Sequence, residues 1–288
     1  MDKLLILAQG SANDSAYGDQ QVDGVEFHEY FAGRGIRTLV DDLVISCHGN
    51  TPLMMEMVAH INDFVDHGSR VVIVAQGGLY FALPSLFAAN LPRVPVISVP
   101  LAGDYKGLDS FLAPQIPSGT AAIGGVGVGM YEVAARAAEF MLDNEVAGVF
   151  TSHASDKLVA ALEKLSVPVL GEAQEGGGGL VVGCVSGITN GHYIRIHEEE
   201  LYHFDRVGAL GIYCPPKGED TRAAGVLMDV NNHVQRSIWT RGEDNVAYMA
   251  AKVIALHDKD MQARLVEARN EKAGSYAQRD LTDMAQWR

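Results

Sequence analysis

Cysteine is scarce in this chain. Cys47, Cys184 and Cys214 are the three in 288 residues, far apart and in no metal-binding or redox spacing. So sparse and odd a set excludes a disulfide framework and fits a reducing compartment. Basic residues are also few: 22 Lys and Arg against 36 Asp and Glu give a net charge of −14. That removes the broad basic footprint that a nucleic acid or an anionic membrane requires. A small anion held by local dipoles and one or two cations stays open. No apolar run approaches membrane length, and the one within Met1 to Gln9 is too short for a signal peptide and has no cleavage pattern. The expectation is a soluble, cytoplasmic protein. Charged residues make up only 20% and hydrophobic ones 48%, enough for a sizeable core.

What is present is alternation. Val71 to Ala75 is an apolar run of the kind that forms a strand buried on both faces. Gly77-Gly78 follows, then a short helix-like segment containing Leu83-Pro84-Ser85, then a second buried run, Val94 to Val99. Strand, turn, helix, strand is a parallel crossover unit. Glycines directly after such a strand either let the backbone approach a ligand at the carboxyl edge of the sheet or serve close packing.

The same grammar runs along the chain. Leu4 to Ala8 is a strand leading into Gly10-Ser11-Ala12-Asn13-Asp14, small polar residues that suit a phosphate or a ribose and equally cap helices. Val22 to Phe31 reads as a helix closed by Gly33, and Thr38 to Ser46 as a strand. Pro52 opens a helix to about Val65. Leu108 to Leu112 is a short helix, Thr120 to Ile123 a small-residue strand, and Met130 to Leu142 an Ala-rich helix. From about Asn144 the pattern begins again. Val146 to Phe150 is a strand, Ser152 to Asp156 a loop, and Lys157 to Leu165 a helix. Strand-like runs follow at Leu180 to Val185 and His192 to Ile196. An Ala-rich helix comes at Val246 to His257, and a charged peripheral helix and tail lie beyond Asp258. The expectation is an α/β fold with a three-layer, flavodoxin-like parallel sheet in residues 1–143 and a degenerate relative of it in 144–288, a tandem pseudo-dimer.

The loops of the first half, taken together, resemble the PurE-type family of carboxyaminoimidazole ribonucleotide mutases and aminoimidazole ribonucleotide carboxylases. Gly10-Ser11-Ala12-Asn13-Asp14 is similar to its first loop and Ser46-Cys47-His48-Gly49-Asn50-Thr51-Pro52 to its second. Gly77-Gly78 with Leu83-Pro84-Ser85 and Val94-Pro95-Val96 is similar to the third. Gly107-Leu108-Asp109-Ser110 with Gln115-Ile116-Pro117-Ser118-Gly119 is similar to the fourth. In two places the pattern departs. Gly49-Asn50 stands where the family has a phosphate-holding arginine, and Phe81-Ala82 stands where it has a second histidine. Ala82 to Ser85 resembles instead the PurE-like domain of LarB-type enzymes, whose nucleophilic cysteine has no counterpart near Ala113 to Gln115.

The resemblance implies that His48 shuttles a proton at the ring carbon, a task suited to an imidazole whose ordinary pKa is about 6.5. It implies that Gly10, Ser11, Asp14, Ser46, Asn50, Gly77, Gly78, Gln115, Ser118 and Gly119 bind a phosphorylated nucleotide. No metal and no organic cofactor is indicated. Cys47 reads as a buried small residue. Arg195, which shares a strand face with His197 and not with His192, is either a phosphate cation from the second half or a solvated charge. Residues Glu175 to Gly179 read as a loop. The family's tightly packed octamers imply a homotetramer of fused pairs, centred on the two Ala-rich helices. Three functions remain: carboxylate transfer on an aminoimidazole ribonucleotide, related chemistry on another heterocyclic nucleotide, and non-catalytic nucleotide binding or assembly.

Overall fold

The apolar runs of the first half become the middle of a sheet. In the computed structural model, which describes residues 2–11, 20–44, 49–78, 81–102, 106–115, 117–174, 177–185, 208–215, 228, 231 and 234–275, β1 (Lys3–Gln9) lies parallel to β5 (Arg70–Gly77). Lys3 stands opposite Arg70 and Gln9 opposite Gln76. Leu4 to Ala8 and Val71 to Ala75 are each at most 2% exposed. A continuous apolar run is therefore required here, because both faces are covered. Leu5, Leu7, Val72 and Val74 face α1 (Phe27–Ala32) and α5 (Tyr131–Asp143). Leu4, Ile6, Val71, Ile73 and Ala75 face α2 (Thr51–Asp66) and α3 (Leu83–Asn90). Helix, sheet and helix make the three layers of a flavodoxin-like α/β fold.

β4 (Arg37–Val44) adds to the outer side of β1, and β6 (Val96–Pro100) and then β7 (Gly124–Gly125) to the other side of β5, all parallel. The second half contributes β8 (Val149–Ser152), β9 (Val169–Glu172), β10 (Gly179–Cys184), β11 (Ala209–Cys214) and β12 (Ser237–Trp239). One sheet holds all ten, in the order β4-β1-β5-β6-β7-β12-β11-β10-β8-β9. Counted along the chain within each half, both sets read second, first, third, fourth, fifth from their outer edge. The junction is the one antiparallel pairing of this sheet, Gly125 opposite Trp239. The carboxyl edges of the two sets therefore face opposite ways.

The halves share their cores across this seam. α4 (Leu108–Leu112), from the first half, places Phe111 on the second-half strands beside Val181, Tyr213 and Trp239, its ring stacked on that of Trp239 at 4.7 Å and 29°. In return α7 (Glu243–Ala255) and α8 (Lys259–Ser275) pack against the turn at Gly119–Ala121 of the first half. Gly125 is glycine of necessity, because a Cβ there would lie 2.5 Å from Gln115 Nε2 and 2.6 Å from Trp239 Nε1.

Several elements differ from their sequence-based expectation. Val22 to Phe31 is not one helix. β2 (Gln21–Val22) and β3 (Val25–Glu26) form a small hairpin, and the helix starts only at Phe27. Asp23 and Gly24 take positive φ, 53° and 76°, which is the Asp-Gly hairpin turn. Thr120 to Ile123 is not a strand: the chain makes a 3-10 turn at Gly119–Ala121, and only Gly124–Gly125 pairs. β9 and β11 were not anticipated. The stretch beyond Asp258 is less peripheral than its charge suggests, since Met261 and Leu265 are buried. The expected strand at His192 to Ile196 lies outside the described residues. No described helix is long and apolar enough to cross a membrane.

Candidate functional site

The carboxyl ends of β1, β5 and β6 bring the first and third loops together. The Gly10 N–H donates to the Gln76 carbonyl at 3.0 Å, and the Leu101 N–H to the Gly77 carbonyl at 3.0 Å, so Gly10, Ser11, Gly77 and Gly78 share one edge. Gln76 is fully buried, and its amide oxygen accepts the phenol proton of Tyr131, the first residue of α5. A helix that begins at this edge thus fixes the end of the central strand.

Asn50 belongs to the same edge by topology, since α2 must start there to return the chain from β4 to β5. Its side chain caps the helix, accepting the Leu53 N–H at 3.2 Å, with Pro52 in the first turn. Gly77 has a packing reason of its own: a Cβ there would stand 2.3 Å from the Phe81 ring. Phe81 occupies the place where the resembling family has a histidine. Asp14, Ser46, His48, Cys47, Arg195 and the start of the Glu175 to Gly179 loop lie outside the described residues.

The fourth loop is held from the second half. Asn245 of α7 accepts the Gly119 N–H at 2.8 Å and donates to the Pro117 carbonyl at 3.0 Å. Lys272 of α8 donates to the Ser118 carbonyl at 2.8 Å and to its hydroxyl at 2.9 Å. Sequence reasoning missed both, for they come from more than 120 residues away. Within the loop, Ser110 donates to the carbonyls of Leu101 and Gly107, both at 2.9 Å. Gly107 is left-handed, φ 84°, and a Cβ there would lie 2.9 Å from the Leu101 carbonyl oxygen.

Beside this braced loop several buried polar atoms have no partner. Gln115 is 3% exposed, and neither atom of its amide is bonded. The Trp239 indole N–H, the Thr240 hydroxyl and both Asp109 carboxylate oxygens are likewise unpaired. An unpaired buried polar group costs about 1–3 kcal/mol, so such a group is a place where a ligand or a water gains binding energy. The cluster stands where α4 meets the β7–β12 seam, and Trp239 and Thr240 are its second-half members.

Lys252 of α7 is a further buried group that the sequence did not single out. It is wholly buried, donates to the Ala122 carbonyl at 3.1 Å, and burial pushes its pKa down to about 7. Among the described residues, only Glu26, His28 and Glu29 bring three metal-ligating atoms within 4.8 Å of one another. They lie around the start of α1, outside the loops described above.

Comparison with known proteins follows the same lines. No curated protein matches the chain. The model of the AIRC family, AIR carboxylase, matches residues 26–163, from β3 through α6 (Asp156–Lys164). Over that stretch, which holds the second, third and fourth loops, the chain is similar to the AIR carboxylase family.

Proposed function

We propose that the first half binds a phosphorylated heterocyclic nucleotide at the carboxyl edge of β1, β4, β5 and β6 and moves a carboxylate on its ring, with an aminoimidazole ribonucleotide as the first substrate to test. The carrying observation is the match of residues 26–163 to a family of carboxylases and mutases. Gly10, Ser11, Asp14, Ser46 and Asn50 would take the phosphate and ribose. Backbone N–H groups and helix starts suit an anion even in an acidic chain. His48 is the proton shuttle in this reading, one imidazole serving first as acid and then as base at the carbon that gains or loses CO2. The unpaired amide of Gln115 would meet the substituents of the ring.

The test is a thermal-shift screen over ribonucleotide monophosphates, followed by an assay for bicarbonate-dependent carboxylation of the ligand that stabilises the chain. A specific ligand at a hundredfold excess over Kd adds about 2.7 kcal/mol. Gln115→Leu should weaken that ligand about tenfold or more while leaving the free protein as stable as before or more so, because an unpaired amide has been removed. Unchanged ligand affinity in this variant would take Gln115 out of the site. The same reading implies a homotetramer. The small faces of α5 and α7 are already buried within one chain, with Ala134, Ala138, Ala247 and Ala250 at 0% exposure, and a monomeric mass by light scattering would remove the tetramer.

A further inference from the structure

The second half ends its own strands on different chemistry. Cys184 is the last residue of β10 and Cys214 the last of β11, and they stand opposite each other on adjacent parallel strands. By strand order they hold the positions that Gly77 and Pro100 hold in the first half. Partners in a sheet point to the same face, and their Cα atoms lie about 4.8 Å apart, inside the span that a disulfide bridges.

Both sulfurs sit at helix starts. Ser155 caps α6: its hydroxyl oxygen accepts the Leu158 N–H at 3.2 Å and lies 3.7 Å from the Cys184 sulfur. The Ser155 N–H also points at that sulfur, and the Gly242 N–H, at the start of α7, points at Cys214. Cys214 is 6% exposed and keeps its proton, with the Pro215 carbonyl oxygen 3.3 Å away. Cys184 is half-buried. The neighbouring Cys214 thiol, aided by Ser155, draws the Cys184 pKa down against the opposing effect of burial. The proximity of Cys184 and burial push Cys214 up. Among the described residues, the charges around the pair are Glu243, whose field opposes a thiolate, with Lys157 bridging Glu243 and Asp244 at 3.3 and 3.5 Å.

We propose that Cys184 and Cys214 form a peroxide-reactive dithiol site, Cys184 being the attacking thiolate and Cys214 the resolving thiol. The Cys184 sulfur attacks one oxygen of a hydroperoxide. The O–O bond breaks, and hydroxide (or alkoxide) leaves and takes a proton. Cys184 is then a sulfenic acid. The Cys214 sulfur attacks the Cys184 sulfur, the S–O bond breaks, and water leaves with the Cys214 proton. In sum, two thiols and one hydroperoxide give one disulfide and water (plus an alcohol, or a second water when the oxidant is hydrogen peroxide). The register supplies what such a site requires: a half-buried cysteine beside a capped helix start and a second cysteine opposite it on the adjacent strand to capture the product.

The experiment is exposure of the reduced full-length protein to stoichiometric hydrogen peroxide at pH 7, followed by intact mass and peptide mapping. The expected product has lost two hydrogens, joins the peptides of Cys184 and Cys214, and returns to the dithiol with dithiothreitol. Cys214→Ser should stop at a sulfenic acid on Cys184 that dimedone traps. On the unaltered protein, iodoacetamide should label Cys184 at pH 7 about tenfold faster than an ordinary thiol, with a midpoint near the pair's lower titration. A Cys184 that labels no faster than a free thiol, or an oxidised product that links other cysteines or two chains, would overturn the proposal. The labelling measurement needs no variant, so a misfolded Cys214→Ser leaves the question decidable. Failure here would leave the nucleotide reading of the first half untouched, since the two edges face opposite ways.

Discussion

The two half-sheets share a strand order and differ in what their strands end on. The first half ends on Gln9-Gly10, Gln76-Gly77 and Pro100, groups that are neutral and bring backbone close to the edge. The second ends on Cys184 and Cys214 beside two helix starts, with the Cys184 thiol drawn toward its anion and Cys214 keeping its proton. The buried run inside a strand is set by packing on both faces and is mostly apolar, with Ser98 of β6 bonded to the Gly124 carbonyl. The residue just past it is free of that demand and can be exchanged for another chemistry. On this view the fold is one solution used at two edges, and function resides in a handful of terminal positions.

The largest expected effect separates the edges by catalysis. His48→Asn should lower turnover of the true substrate by about 10²- to 10⁴-fold and leave its binding within about tenfold, the loss of differential rather than uniform binding. His153 follows β8 as part of the loop that matches the first in strand order, and His153→Asn should leave turnover within about twofold. If steady-state kinetics give the reverse, the chemistry belongs to the second half.

Lys252 tests the seam. Its charge must be given up or carried at high cost in the folded state, since its folded pKa of about 7 lies below the ordinary 10.5. Between these two values the unfolded chain binds the extra proton, so stability rises with pH across that window. Lys252→Met should therefore be more stable than the parent at pH 7, by on the order of 5 kcal/mol at most at 1.36 kcal/mol per unit, and the gap should close as the pH approaches 10. Denaturant melts at pH 7, 8.5 and 10 measure it. A gap independent of pH would mean that the amine is charged in the fold.

Trp239→Ala should cost about 3–5 kcal/mol, the usual loss for a large buried aromatic, through its stack with Phe111 and its place opposite Gly125. Because Phe111 comes from the first half, the whole chain should still melt in one transition. Two transitions, by calorimetry, would show halves that fold independently and only touch.

The sequence was legible where burial imposes a pattern. β1, β5 and β6 are mostly apolar runs of Val, Leu, Ile and Ala, and Pro52 signals a helix start. It was illegible where pairing is short or distant. β7 is two glycines and β12 three residues, too few for any periodicity, so the seam that joins the halves left no local signal. Asp23-Gly24 is a hairpin signal that competes with the apolar helix pattern of Val22 to Phe31. Lys272 and Asn245 lie more than 120 residues from Ser118 and Gly119, and only the fold brings them together. Cys184 and Cys214, 30 positions apart, showed no redox spacing because their proximity is set by strand register.

The smallest effect gives the sharpest comparison, because the two halves cap corresponding helices with different residues. Asn50 caps α2 through Leu53, and Ser155 caps α6 through Leu158, each at 3.2 Å. Alanine at either site removes one bond to an otherwise unpaired helix N–H, so each should cost about 1 kcal/mol in urea melts. Their further consequences should diverge. Ser155→Ala also removes the hydroxyl beside Cys184, so the pH midpoint of iodoacetamide labelling at Cys184 should move upward, with peroxide oxidation slower at pH 7. Asn50→Ala should leave that midpoint where it was and weaken the nucleotide of the first half. Equal stability losses with crossed functional losses are what two edges of one fold with separate chemistries require. A labelling midpoint that does not respond to Ser155→Ala would mean that Cys214 and the Ser155 N–H, not the hydroxyl, set the thiolate.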